Sequence, residues 1–184
     1  MYATRRIYVE RWEHLDSDAQ YEVTIARGGK PVRGIQPERI SSVEEKVMYW
    51  RKANHIHAWF VKNVQDGQDD CREYYVACEQ VRDLLRVCTK VIDASKLIEG
   101  SIYGGTAYTK DHPDGVERRL PGKVIEDPSV AKRLLPTQDG FFFGSTEYDQ
   151  HYLEDVVATR DWAARMVDDC ERGVPGDIYY QSSW

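Results

Sequence analysis

The sequence predicts an α+β protein in which short antiparallel N-terminal strands precede three or four helices, two of them long, within a single domain spanning 1–184. Three observations predict it. Strand-like segments come first, and helix-like segments then surround a mixed region instead of alternating with strands. A 3.6-residue apolar stripe recurs in two separate stretches. The composition, 41% hydrophobic and 30% charged over 184 residues, is sufficient for one real core.

Each element has a local reason. Residues 5–12 and 21–27 alternate weakly between apolar and polar and read as strands. Gly28-Gly29-Lys30-Pro31 forces a turn, and Val32 to Ile35 returns as a short strand, so 1–40 is strand territory. Ser42-Val43-Glu44-Glu45 has the form of a capping box, and a continuous helix is expected over 43–65, ended by Asp66-Gly67. A polar connector containing Asp69-Asp70-Cys71 leads to a second helix over 79–97, with Val81, Leu84, Leu85, Cys88, Val91 and Ile92 on one face. The Gly- and Tyr-rich stretch 100–126, broken at Asp111 to Gly115, reads as a hairpin or a long loop. Asp127-Pro128 opens a short helix that ends near Leu135-Pro136. Phe141-Phe142-Phe143 reads as a brief buried strand, and Ser145 or Asp149 caps a last helix over 145–172, closed by Gly173. The tail, 174–184, reads as irregular.

Composition narrows the partners. A formal net charge of −6 argues against binding a nucleic-acid backbone, which needs a basic field. The short basic pairs, such as Arg5-Arg6 and Lys132-Arg133, read as solvated surface. No apolar run is long enough to span a bilayer, and the N-terminus lacks the apolar stretch of a secretory signal, so a soluble cytoplasmic protein is expected. The four cysteines, Cys71, Cys78, Cys88 and Cys170, match neither a metal pair nor a disulfide framework and are expected as free thiols. Neither a metal nor a cofactor is implied.

Two segments could carry chemistry. On the expected helix over 43–65, Val43, Val47, Trp50, Val61 and Val64 share one face, and Asn54 and His57 fall inside that apolar arc. Buried polar groups need partners, so each other, a nearby backbone or a ligand must satisfy them. His55 falls on the other side with Arg51 and Lys52, so His55-x-His57 is not a chelating pair. A core histidine is the plainer reading of His57, and a ligand-facing or catalytic histidine the sharper one. Asp70 and Cys71 could fold back toward His57, although any cysteine and histidine would raise that suspicion. The second segment runs from Leu134 to Asp149, where Ser145 and Thr146 offer hydroxyls and amides near a helix start, suited to an anion.

These same segments carry a resemblance. Tyr49-Trp50-Arg51-Lys52-Ala53-Asn54 with Ile56-His57 and Trp59-Phe60-Val61, then Asn63-Val64-Gln65, Asp69-Asp70-Cys71, and Phe141 to Thr146 with Tyr148-Asp149, resemble an uncharacterised family of bacteriophage and prophage proteins. Members often begin Met-Gly-Leu-Asp-Met-Tyr-Leu, whereas this chain begins at the equivalent of the internal Met-Tyr. It also has Cys78 near the second helix start, where a hydroxyl cap is expected. The resemblance covers most of the chain and implies a phage setting in the host cell cytoplasm, with no particular chemistry.

The leading expectation is therefore a phage accessory binding protein, with interference in host defence as its setting. Its ligand would be a small anionic, nucleotide-like molecule, with Trp50, Arg51, Asn54, His57, Asp70, Ser145 and Thr146 as the candidate binding residues. Trp50, Trp59 or Phe142 would stack on a base, but Trp50 and Trp59 lie on different helix faces, so one pocket is not expected to use both. One alternative is a protein–protein inhibitor of a host or defence protein, anchored by Trp59, Trp184 and the Tyr-rich hairpin. The other is a small hydrolase using His57 with Asp70 or Cys71.

Overall fold

Both ends of the chain supply the middle of one sheet. In the computed structural model, which describes residues 1–10, 21–110, 112–140 and 144–183, β1 (Tyr2–Tyr8) lies between β4 (Ser42–Tyr49) and β8 (Asp177–Gln181). β5 (Tyr74–Val76) closes the other edge, giving the antiparallel order β4-β1-β8-β5. Two further antiparallel pairs stand apart from this sheet. They are the small β2 (Ala26–Arg27) with β3 (Lys30–Pro31), and the long hairpin β6 (Leu97–Thr109) with β7 (His112–Ile125). The helices are α1 (Asn54–Asn63), α2 (Cys78–Ala94), the short α3 (Ser129–Leu134) and α4 (Gln150–Glu171). Helices and antiparallel sheets together make this an α+β fold with N-terminal strands.

Period-2 alternation sends Ala3, Ile178, Tyr180 and Val76 to one face of the sheet, where they are buried against the helices. The core there is aromatic. Phe60 stacks on Tyr180 with centroids 3.9 Å apart and planes within 5°, and Trp50 meets Trp162 edge-on at 5.2 Å. The indole N–H of Trp50 donates to Thr159 Oγ1 on α4 at 2.8 Å, so even its polar atom is committed inside. No helix among the described residues is long and apolar enough to cross a membrane.

The expected continuous helix over 43–65 is the main correction. Residues Ser42–Tyr49 are the edge strand β4, and α1 starts only at Asn54. The apparent capping-box carboxylate serves another purpose: Glu45 pairs with Arg5 at 2.6 Å and Glu44 with Arg6 at 2.8 Å, both across to β1. Cross-strand pairing has overridden the local cap signal. The tail is corrected too, since 177–181 is a strand between β1 and β5 and not irregular. Its alternating burial was visible in Asp177-Ile178-Tyr179-Tyr180-Gln181, but its pairing partners are remote in sequence. The second helix forms as Cys78–Ala94, shorter than the expected 79–97, and the hairpin reading of 100–126, the short third helix and the last helix, beginning at Gln150, also form, whereas the return strand lies at Lys30–Pro31 and not at Val32 to Ile35. The strand reading of Phe141 to Phe143 and the anchor Trp184 lie outside the described residues.

Candidate functional site

Asn54, the first residue of α1, positions the site. Its side chain is 1% exposed yet fully used: Nδ2 donates to the Ser145 carbonyl at 3.1 Å, and Oδ1 accepts from the Gln138 amide at 2.9 Å. One amide thus ties both Gln138 and Ser145 to the start of α1. On the approach to α1, Lys52 adopts φ +62°, which costs energy for a residue with a Cβ. Gly144 comes so close to it that an added Cβ would lie 3.2 Å from the Lys52 carbonyl.

This juncture opens into a cleft of ≈ 140 Å³ lined by Arg51, Lys52, Asn54, His55 and Ser145 on one side and by Asp149, His151, Tyr152 and Asp155 of the α4 region on the other. The sequence expectation therefore assembles in part: Arg51, Asn54 and Ser145 meet here. Ser145 and Thr146 do not cap α4. Asp149 does, accepting from the His151 and Tyr152 amides, while Ser145 Oγ accepts from the Glu147 amide. Thr146 is exposed, and its carbonyl accepts from Thr137 Oγ1.

The other candidates are elsewhere. Trp50 is 2% exposed in the aromatic core and has no face to offer a base. His57 is 1% exposed, as expected of an apolar-arc histidine. Its Nδ1 shares a hydrogen bond of 2.7 Å with the Tyr180 hydroxyl, and its Nε2 one of 3.0 Å with Asp69 Oδ2. The carboxylate facing His57 is thus Asp69, where the sequence reading named Asp70. Asp70 instead accepts from the Tyr74 hydroxyl and pairs with Arg72, while Cys71 gives its carbonyl to Gln181. The His57, Asp70 and Cys71 constellation does not form.

His55 lies on the side of Arg51 and Lys52, as the sequence reading placed it, and lines the first cleft with them. It is nevertheless buried, because the first turn of α1 is enclosed on every side, with Asn54, His55, Ile56 and His57 all buried: it is 3% exposed and packs on Tyr152 with ring centroids 4.2 Å apart. Its Nε2 is buried with no hydrogen-bond partner among the described residues, and burial drives its pKa down to about 3, so the ring is neutral. An orphan buried nitrogen costs about 1–3 kcal/mol and asks for a partner.

His55 also lines a second, larger cleft of ≈ 360 Å³, with Trp59, Lys62 and Asn63 on α1 and Arg133 and Gln138 opposite. Among the described residues no carboxylate lines this cleft. Arg51, Lys52, Lys62 and Arg133 are all exposed and form no ion pair among the described residues. The first cleft does contain carboxylates, but Glu147 is held by Arg119 and Asp149 by the α4 amides. Asp155 remains, its pKa raised to about 6 by burial and by the neighbouring Glu154.

Among the described residues no group of three or more His, Cys, Asp or Glu is placed to hold a metal ion. Comparison with protein-family models, with curated proteins and with solved structures gives no significant match.

Proposed function

We propose that this chain is a phage accessory protein that binds a small anionic, nucleotide-like ligand in the cytoplasm of the infected cell, with host defence as the pathway it opposes. The phage setting rests on the sequence resemblance alone. The observation that carries the binding reading is the cleft between the two segments bearing that resemblance. There Arg51 and Lys52 form no ion pair among the described residues, and His55 brings a buried nitrogen without a hydrogen-bond partner among them. Binding uses what the cleft offers: guanidinium and ammonium for charge, and a fixed imidazole for one directed hydrogen bond.

A thermal-shift screen of nucleotides, cyclic nucleotides and ADP-ribose-like compounds tests it. A ligand at 100 times its dissociation constant stabilises by about 2.7 kcal/mol, a visible rise in melting temperature. Arg51→Ala should abolish the shift while leaving the unliganded melt unchanged, because Arg51 is exposed and forms no ion pair among the described residues.

A protein–protein inhibitor is the second reading, favoured by Tyr8 at 51%, Tyr49 at 61% and Tyr75 at 56% exposure on strands of the main sheet. Capture of a defined host protein, lost on Tyr49→Ala and Tyr75→Ala and accompanied by no ligand shift, would replace the first reading with this one. The hydrolase reading has no support from His57, which is closed between Tyr180 and Asp69.

A further inference from the structure

The start of α2 lies beside the end of α4. β5 leads into α2 and α4 leads into β8, and these strands are paired with Val76 opposite Ile178, so the two corners stand side by side. Behind them Val81 and Leu84 of α2 share a core with Ala163, Met166 and Val167 of α4. Cys78 is the first residue of α2, and Cys170 lies in the last turn of α4. Residues three and four apart share a helix face, which puts Cys78 with Val81 and Arg82, and Cys170 with Val167. Arg82 reaches across this seam to Glu171, the residue after Cys170, at 3.5 Å.

The two thiols meet there. The side chains of Cys170 and Cys78 are hydrogen-bonded to each other, and both residues keep partial exposure. Burial, and then the bond to Cys78, push the Cys170 thiol up to about 11, while the Arg82 charge acts in the opposite direction. Cys170 therefore keeps its proton at neutral pH, which leaves Cys78 as the attacking sulfur. The other cysteines stand apart from this seam: Cys88 is 0% exposed in the core, and Cys71 lies on the connection between α1 and β5.

We propose that Cys78 and Cys170 are a redox pair, joined by a small-molecule disulfide of the glutathione type into a reversible bond that staples the start of α2 to the end of α4. The Cys78 thiolate attacks one sulfur of the reagent, RSSR, giving a mixed disulfide, and the departing thiolate takes up the Cys78 proton as RSH. Cys170 then loses its proton and attacks the Cys78 sulfur, which releases the second RSH. Two protein thiols give up two electrons, and RSSR is reduced to two RSH. Closure draws sulfurs already in contact to about 2.05 Å. In a reducing compartment the pair stays open and closes under oxidative load, as redox-sensing thiols do. The inference is independent of the small-ligand reading.

Incubation of the full chain with oxidised glutathione tests it, followed by denaturation, thiol counting and peptide mapping. The count should fall from four to two, the map should join Cys78 to Cys170, and dithiothreitol should restore all four. The cross-linked chain should melt at least about 5 °C higher than the reduced one, because the bond closes a loop of roughly 90 residues. Cys71→Ser should still form the bond, and Cys78→Ser should form no internal disulfide. An unchanged count of four, a lasting glutathione adduct on Cys78 in place of the bond, or an internal disulfide in Cys78→Ser overturns the redox pair. A cross-linked chain that melts no higher than the reduced one overturns the staple.

Discussion

Asp155 should make the protein more stable as the pH falls from 8 toward 4, and Asp155→Asn should remove that dependence. The carboxyl is half-buried on α4, and burial followed by the nearby Glu154 and Asp149 charges raises its pKa from the ordinary 3.8 to about 6; His151 pulls the other way. The sign follows from linkage. With the folded value raised, the native state holds the proton more firmly than the unfolded chain does. Stability is therefore unimpaired below 3.8, falls as pH rises from 3.8 to about 6, and is fully diminished above that. At about 1.4 kcal/mol per pKa unit the ionised carboxylate costs about 3 kcal/mol, or about 2 kcal/mol once its partial exposure to solvent is allowed for. Asparagine has the same shape and no charge. Urea unfolding at pH 8 should thus find Asp155→Asn more stable by about 1–2 kcal/mol, with the gap closing as the pH approaches 4. An Asp155→Asn protein that is equally stable or weaker at pH 8 would refute the argument, showing that the carboxylate is satisfied in the fold and not merely tolerated.

Other predictions follow from named contacts. His57→Ala should destabilise by about 2–4 kcal/mol, because it opens a cavity and strands the Tyr180 hydroxyl; chemical denaturation reads it, and a loss under 1 kcal/mol counts against the structural role. Asn54→Ala should cost about 1–2 kcal/mol, since it frees the Ser145 carbonyl and the Gln138 amide; urea unfolding reads it, and an unchanged stability would show that both groups find other partners. Cys88 is 0% exposed, and burial pushes its thiol up to about 12, so a thiol reagent should leave it unmodified in the native protein and reach all four cysteines only after denaturation. Fewer than four thiols in denatured, unreduced protein would contradict the free-thiol assignment.

The sequence by itself determined what depends on near neighbours. The α2 stripe, the Gly-punctuated hairpin, the Asp149 cap of α4 and the demand that a histidine in an apolar arc find partners are all local facts, and each is present. Tertiary structure decided the rest because the deciding contacts are remote. Glu44 and Glu45 look like a helix start until Arg6 and Arg5 stand opposite them across a strand pair. The C-terminal segment looks irregular until β1, at the other end of the chain, gives it a ladder. Spacing put His55 on the side of Arg51 and Lys52, opposite His57, but only the fold encloses the first turn of α1 so that both histidines are buried. Arg51, Asn54 and Ser145 were legible as candidates from their chemistry. Their meeting with Asp155 and Tyr152 required α4 to cross the start of α1, and no residue spacing encodes that, because burying one apolar face against another fixes it only when the whole chain folds.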